Sequence, residues 1–418
     1  MPRAWSTLSL LALAACSYDV AGEPPPPPLP KGAATLAPDG AGEAELANVG
    51  AIVGNAQVVG LGEATFRSGA ITKSKAQIVR YLVEKRGFRA IAFESSFGQV
   101  EDTVRPYVVS CRGTAEGATL ALDDHFHSTE MRDLTKWLCE YNRAHPADKV
   151  DVFGLVQDDT DYEARVLREF MTEAQLGEPS FMGAAAGGAC PAPADATLSE
   201  ADYTRCQGGL ASVHAALTSR EADLTKRFGQ ERYHRACTAV YALEEWQRSV
   251  KLWNEKRETE SWDVREGGIY ELFKHYRGWR APNKRTILWA HGYTVSAAHA
   301  EIEAPRWART TLGTMLRKDL GSGYKAVGVL GYDVGTREPG EAGSSSVAGA
   351  DSFEAKLNTL RRPGLVLDLA RLDPSVADAN AAQPIGHPKS ERAVPRRQLD
   401  GVVFIARSPE MTVLTPQN

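Results

Sequence analysis

What most constrains this chain is an alternation, from about Ala47 onward, of short unbroken apolar runs with amphipathic helical stretches. The runs are Gln57–Leu61 (QVVGL), Arg89–Phe93, Lys149–Leu155, Arg285–Ala290, Lys325–Leu330, Gly364–Leu369 and Gly401–Ile405. A strand with one wet face alternates apolar and polar residues, whereas most of these are apolar almost throughout and are therefore covered on both faces. The pattern predicts an α/β fold, a mostly parallel sheet flanked by helices. A helix is expected from Ile71 to Arg86, stopped by Gly87. Another is expected from Thr129 to Tyr141, with Met131, Leu134, Trp137, Leu138 and Tyr141 at helical spacing. The stretch from Gln175 to Arg205 is rich in Ala, Gly and Pro and reads as a surface insertion. Two helical stretches follow it, about Leu210–Phe228 and Arg232–Glu258. Together they suggest a helical insertion over about 172–258, lying across one end of the sheet. A loop from Pro374 to Arg397 precedes the last run.

Composition narrows the partners. The 418 residues are 43% hydrophobic and 24% charged, with a net charge of −5 from 48 Lys+Arg and 53 Asp+Glu. No basic run is present to neutralise a row of phosphates, so nucleic acid is not an expected partner. No apolar stretch approaches the roughly 20 residues needed to span a bilayer. At the N-terminus, Arg3 precedes the short apolar core Leu8 to Ala15, the pattern of an export signal. It ends in Leu13-Ala14-Ala15-Cys16, which resembles a bacterial lipobox with Cys16 as the lipid acceptor; a plain secretory signal with an incidental cysteine is the competing account. Pro24 to Pro28 form a stiff extended spacer. The expected organisation is a lipoprotein signal over 1–16, a Pro-rich linker over 17–46 and the exported domain over 47–418. The location is the cell envelope, and Ser17 after Cys16 favours the outer membrane by analogy with other bacterial lipoproteins. Of the other five cysteines at most two pairs can form, and Cys190–Cys206 is the first candidate. None has zinc-like spacing.

Three apolar runs end in ionisable residues: VVGLGE in Glu63, RAIAFE in Glu94 and TILWAH in His291. Strand C-termini of a parallel sheet share one edge, the edge where open α/β folds bind ligands. These side chains are therefore expected to converge, with Asp333 and Gln157 as further contributors. A polar residue that merely ends a strand and meets water is the alternative for each one singly. Lys75 shares a helical stripe with Ile71, Ile78 and Leu82. If it faces the sheet it needs a partner, Glu63 or Glu94; otherwise it snorkels to solvent. Gly60-Leu61-Gly62-Glu63 lacks the third glycine of a dinucleotide fingerprint. Glu94-Ser95-Ser96-Phe97-Gly98 lacks the first glycine of a nucleophile elbow. Asp123-Asp124-His125-Phe126-His127 holds four possible metal ligands, but it precedes a helix, where solvated polar residues are routine.

VVGLGEAT, RAIAFESSFG, STEMRDLTKWLCEYN, VREGGIYELFKHY, TILWAHGY, GTMLRKDLGSGYKAVGVLG and LDGVVFIARS occur in an order that resembles the erythromycin esterase family, across Val49 to Arg407. The resemblance implies an α/β hydrolytic fold that opens macrolide lactones with water activated by a histidine and carboxylates, without metal or cofactor. It implies catalytic roles for Glu63, the carboxylate of the family's GEATH motif, for Glu94, and for His291, the first histidine of WAHNxH. Phe66, Lys75, Thr294 and Arg265 are implied as substrate-binding. Lys75 stands where the family usually has arginine, and Arg265-Glu266 where it has Arg-Asp. Phe66 replaces the GEATH histidine and Thr294 the second histidine of WAHNxH. Phenylalanine accepts no proton, and general base catalysis is commonly worth about 10²–10⁴-fold. The sequence thus leaves open a hydrolase of an unknown ester or lactone, with Glu63, Glu94 or His291 as base. It equally leaves open a non-catalytic envelope protein that binds a small molecule in the retained cleft, or a structural role in the envelope.

Overall fold

The computed structural model describes residues 25–38, 40–157, 160–177, 190, 199–302, 307–378, 381–382 and 392–415. The export segment and Cys16 lie outside them, as does most of the Ala/Gly/Pro-rich stretch. In chain order the strands are β1 Ala33–Thr35, β2 Val58–Glu63, β3 Phe88–Ser96, β4 Asp151–Val156, β5 Arg285–His291, β6 Tyr324–Thr336, β7 Ser344–Val347 and β8 Gly364–Asp368, then β9 Ala381–Ala382, β10 Arg392–Ala393 and β11 Gly401–Ser408. The main sheet runs β1-β8-β11-β6-β2-β5-β3-β4, with β7 pairing β6. Six neighbours, from β11 to β4, are mutually parallel. The β8 and β1 margin is antiparallel, and β9 and β10 form a separate ribbon.

Each expected apolar run is a strand in this sheet. One boundary needs correcting: the linker expected to reach residue 46 is in part built into the fold. Ala33–Thr35 pairs with β8, Leu36 is buried, and a helix already begins at Glu43. Short, polar-flanked edge strands carry little hydrophobic pattern, and a neighbouring proline run masks what remains.

Helices cover both faces. On one, Glu43–Val53, Gly69–Arg86 and Thr129–Ala144 pack Val49, Ile78, Leu82, Leu134 and Leu138 onto Val59, Leu61 and Ile91. Gly87 ends the second of these in the left-handed region (φ 69), as a C-cap requires. On the other face, Glu258–Trp279, Leu312–Leu320 and Phe353–Asn358 pack Phe273, Leu316 and Phe353 onto Leu288, Ala326 and Phe404. The helices Thr160–Ala174, Glu200–Ser219, Glu221–Phe228 and Gln230–Asn254 share their own core, built on Leu167, Leu210, Leu217, Leu224 and Val240. Cys190 is bonded to Cys206 and Cys111 to Cys139; Cys237 is free.

Candidate active site

The site forms where β2, β3 and β5 end. Glu63 closes β2 and stands in register with His291, the last residue of β5. The short helical turn Gly292–Val295 then folds back over β2. It gets that close because Gly62 has no side chain: a Cβ there would lie 2.3 Å from Val295 Cγ2 and 2.8 Å from Gly292 Cα. This turn brings Thr294 to Glu94. On β3 the ladder to β4 shifts register between Phe93 and Ser96, so Glu94 precedes the strand's end and is not its last residue.

Glu94 is nearly buried and held from three sides. Its Oε2 accepts the His291 backbone N–H at 2.7 Å. Its Oε1 accepts the Thr294 hydroxyl at 3.0 Å, and the Arg265 guanidinium stands 3.7 Å away. Arg265 also pairs with Glu266 at 3.1 Å and lies over the Trp262 ring at 5.2 Å. The Gln157 amide donates to the Arg265 carbonyl at 3.3 Å, so Gln157 positions the arginine segment from below. Glu266 is fully buried and accepts the Leu312 N–H at 2.9 Å. Burial pushes its carboxyl up to about 7, Arg265 opposing.

A cavity of about 240 Å³ opens over these groups. Glu94, His291 and Arg265 line it together with Asp123 and His125, and Phe66, Val156, Trp262, Tyr293 and Trp307 supply an apolar wall. Tyr293 and Trp307 meet at 5.2 Å between ring centroids. Phe66 stands between two imidazoles, 4.1 Å from His125 and 5.0 Å from His291. The His291 Nδ1 accepts the Tyr293 N–H at 3.2 Å, which assigns the proton of the neutral ring to Nε2. Burial pulls His125 down to about 4.

Of the residues the sequence singled out, Glu94, His291, Phe66 and Arg265 therefore meet at one cavity. Glu63, Lys75 and Thr294 stand behind it and do not line it. Lys75 has no exposed surface. It contacts Glu63, donates to the Ala290 carbonyl at 3.3 Å and sits 4.5 Å over the Trp289 ring. Burial lowers its pKa strongly, and the charge of Glu94 opposes this. Lys75 is thus the internal counter-ion of Glu63, one of the two partners expected for it. Asp333 is elsewhere, beside Arg407 at 3.5 Å. Sequence reasoning passed over Trp262, Tyr293 and Trp307, and read Asp123 and His125 as solvated polar residues before a helix. The Asp123–His127 cluster was visible as a signal, but nothing local distinguishes a solvated loop from one folded against a strand end. Here Asp123 Oδ1 accepts the Ser95 hydroxyl at 2.8 Å and the Ser96 N–H at 2.9 Å. That clamps the loop to β3. Among the described residues no group of three or more His, Cys, Asp or Glu side chains is arranged to hold a metal ion.

The family model described as erythromycin esterase matches residues 83–408. No curated protein matches the sequence. Among solved structures, a protein from Bacillus cereus is similar at a TM-score of 0.77 and 18% identity, over 92% of this chain and 96% of that one. A succinoglycan biosynthesis protein gives 0.72 and 18%, over 92% and 96%. The erythromycin esterase EreC, a mutant in its open conformation, gives 0.68 and 15%, over 92% and 100%. At these identities the structural likenesses concern the fold.

Proposed function

Since the chain belongs to the erythromycin esterase family, we propose that it is a hydrolase that opens the ester or lactone bond of a small, largely apolar molecule. The observation that carries this reading is the meeting of Glu94, His291 and Arg265 in an aromatic-walled cavity. The His291 Nε2–H is suited to donate to a substrate carbonyl oxygen, whose negative charge grows as water adds. The Arg265 guanidinium supplies further positive potential beside it, and Glu94 fixes both. The wall formed by Phe66, Trp262, Tyr293 and Trp307 suits an apolar acyl or ring portion and excludes water from it.

Substrate size separates this protein from the macrolide-opening activity its family name suggests. At about 240 Å³ the cavity falls below the roughly 300–1,000 Å³ usual for drug-sized ligands. Phe66 and Thr294 also stand where the family has imidazoles. The expected substrate is therefore a small ester or lactone, and no macrolide esterase activity is expected. A second reading, binding of such a molecule without turnover, is favoured by one observation: Phe66 has no proton-accepting atom and Thr294 spends its hydroxyl on Glu94.

The two readings part in one experiment. The full chain is assayed against p-nitrophenyl acetate and butyrate and δ-valerolactone at neutral pH, beside Glu94→Gln and His291→Ala. Turnover that both variants lose supports the hydrolase. Saturable binding with no turnover supports the binding protein. Attachment to the cell envelope through a lipid on Cys16 is proposed from the Leu13–Cys16 motif alone.

A further inference from the structure

We propose that His125 is the proton acceptor for the attacking water in this cavity. The inference rests on the hydrolase reading above and adds to it the base which that reading lacks.

Hydrolysis at neutral pH needs a group with a lone pair facing the reacting water. Most acceptor atoms of the other carboxylates and imidazole near the cavity are engaged. Glu63 faces Lys75. Both oxygens of Glu94 accept hydrogen bonds. The Nδ1 of His291 is taken by the Tyr293 N–H, and Oδ1 of Asp123 by Ser95 and Ser96. His125 differs: it lines the cavity, and its Nε2 is buried with no hydrogen-bond partner among the described residues.

The ring is also held in place. It belongs to the one-turn helix Asp124–Phe126. On one side Asp124 pairs with Arg67 at 2.9 Å. On the other, Phe126 is buried 5.8 Å from Phe93 and 6.2 Å from Trp289. The His127 ring is hydrogen-bonded to the Leu122 carbonyl at 2.9 Å. Tilted against Phe66 at 4.1 Å between ring centroids, with His291 5.0 Å from that same ring, His125 gives the cavity its second imidazole. Burial is the largest influence and lowers its pKa, with Arg67 and Lys75 acting in the same direction; together they outweigh Asp123 and Asp124, which raise it. The ring is therefore neutral at pH 7, and its buried Nε2 carries no hydrogen bond that a reacting water would have to displace.

The step balances within the reactants. The water oxygen bonds to the acyl carbon as its proton passes to His125, and the carbonyl electron pair moves to the oxygen facing His291. When the tetrahedral intermediate collapses, the acyl C–O bond breaks and the leaving alkoxide takes the proton back from His125. One water is consumed, and an acid and an alcohol form.

The test uses the full chain with p-nitrophenyl butyrate and δ-valerolactone, comparing the wild type with His125→Ala and His125→Asn. Thermal unfolding of each variant confirms folding, and imidazole is added to the Ala variant. The proposal expects kcat to fall roughly 10²–10⁴-fold with KM changed little, and imidazole to restore part of it in His125→Ala. Activity within about threefold of wild type in either folded variant overturns the proposal and leaves the hydrolase reading standing. A loss that imidazole does not restore makes His125 a packing residue and overturns it too. Absence of any wild-type turnover sensitive to Glu94→Gln overturns both together.

Discussion

Lys75 and Glu266 show how much charge this site keeps out of water. Lys75 stands in the apolar stripe of its helix with no exposed surface, against Glu63. Removing one member of a buried pair strands the other, at a cost of about 3–5 kcal/mol. Lys75→Met is therefore expected to lower the unfolding free energy by that amount at neutral pH, with part recovered in acid as Glu63 takes a proton. Denaturant unfolding at pH 7 and pH 4.5 checks this; an unchanged midpoint at pH 7 would remove Lys75 from the pair. Glu266 gives a pH signature of defined sign. Its folded-state carboxyl titrates near 7, above the ordinary value of about 4.3, so between these limits the folded state binds more protons than the unfolded. Its contribution is fully present below about 4.3 and is lost as pH rises through 7, on the order of 3–4 kcal/mol. Glu266→Gln has no such loss, so its stability relative to wild type should improve steadily from pH 4.5 to pH 8. Parallel stability curves for the two proteins would contradict that assignment. At this scale the sequence was half legible. The stripe Ile71, Lys75, Ile78, Leu82 announced a buried cation, and strand ends announced Glu63, Glu94 and His291. The Asp123–His127 cluster was visible, but nothing local announced the place of His125 at the cavity, which depends on a loop clamped to β3 by Asp123.

Among the elements, the turn Gly292–Val295 is the piece on which the site's geometry depends. Its closeness to β2 requires Gly62, and through Thr294 it fixes Glu94. Gly62→Ala forces that turn outward, with overpacking costs of about 1–3 kcal/mol and a large loss of any turnover. Gly87→Ala is the control. It puts Ala in the left-handed region at φ 69, costing about 1–2 kcal/mol, yet it lies far from the cavity and should leave turnover unchanged. Measuring unfolding and turnover for both separates the effects; equal turnover in the two would mean the turn does not govern the site. The disulfides belong to this scale as well. Cys111–Cys139 closes 28 residues of chain across the helices Arg105–Ser110 and Thr129–Ala144, and in the chain-entropy picture a loop of that size stabilises by roughly 3–4 kcal/mol. Unbroken apolar runs made the strands easy to find, because burial on both faces leaves little room for polar residues. The edge strands β1 and β7 escaped notice since edges carry mixed sequence. The mixed character of the β8 margin escaped too, because hydrophobic pattern does not encode strand direction.

For the whole molecule, family and fold were legible because ordered motifs extend along most of the chain, and the family model covers 83–408. What the cavity accepts was not legible, because its wall is assembled from Phe66, Trp262, Tyr293 and Trp307, which are distant in sequence and carry no shared pattern. Envelope attachment is a further expectation at this scale. Cys16→Ser should abolish an acylated N-terminus in a bacterial host, read from the mass of the mature protein; identical masses and membrane partition for both forms would remove the lipoprotein assignment. The central claim, that this protein hydrolyses a small ester or lactone through Glu94 and His291, is tested most directly with isotope. The full chain is incubated with δ-valerolactone in ¹⁸O-labelled water, and the ring-opened acid is analysed by mass. One labelled oxygen should enter the acid at a rate that depends on enzyme concentration and is abolished by Glu94→Gln and His291→Ala. Ring opening no faster than in buffer alone, or unaffected by both substitutions, would contradict the account.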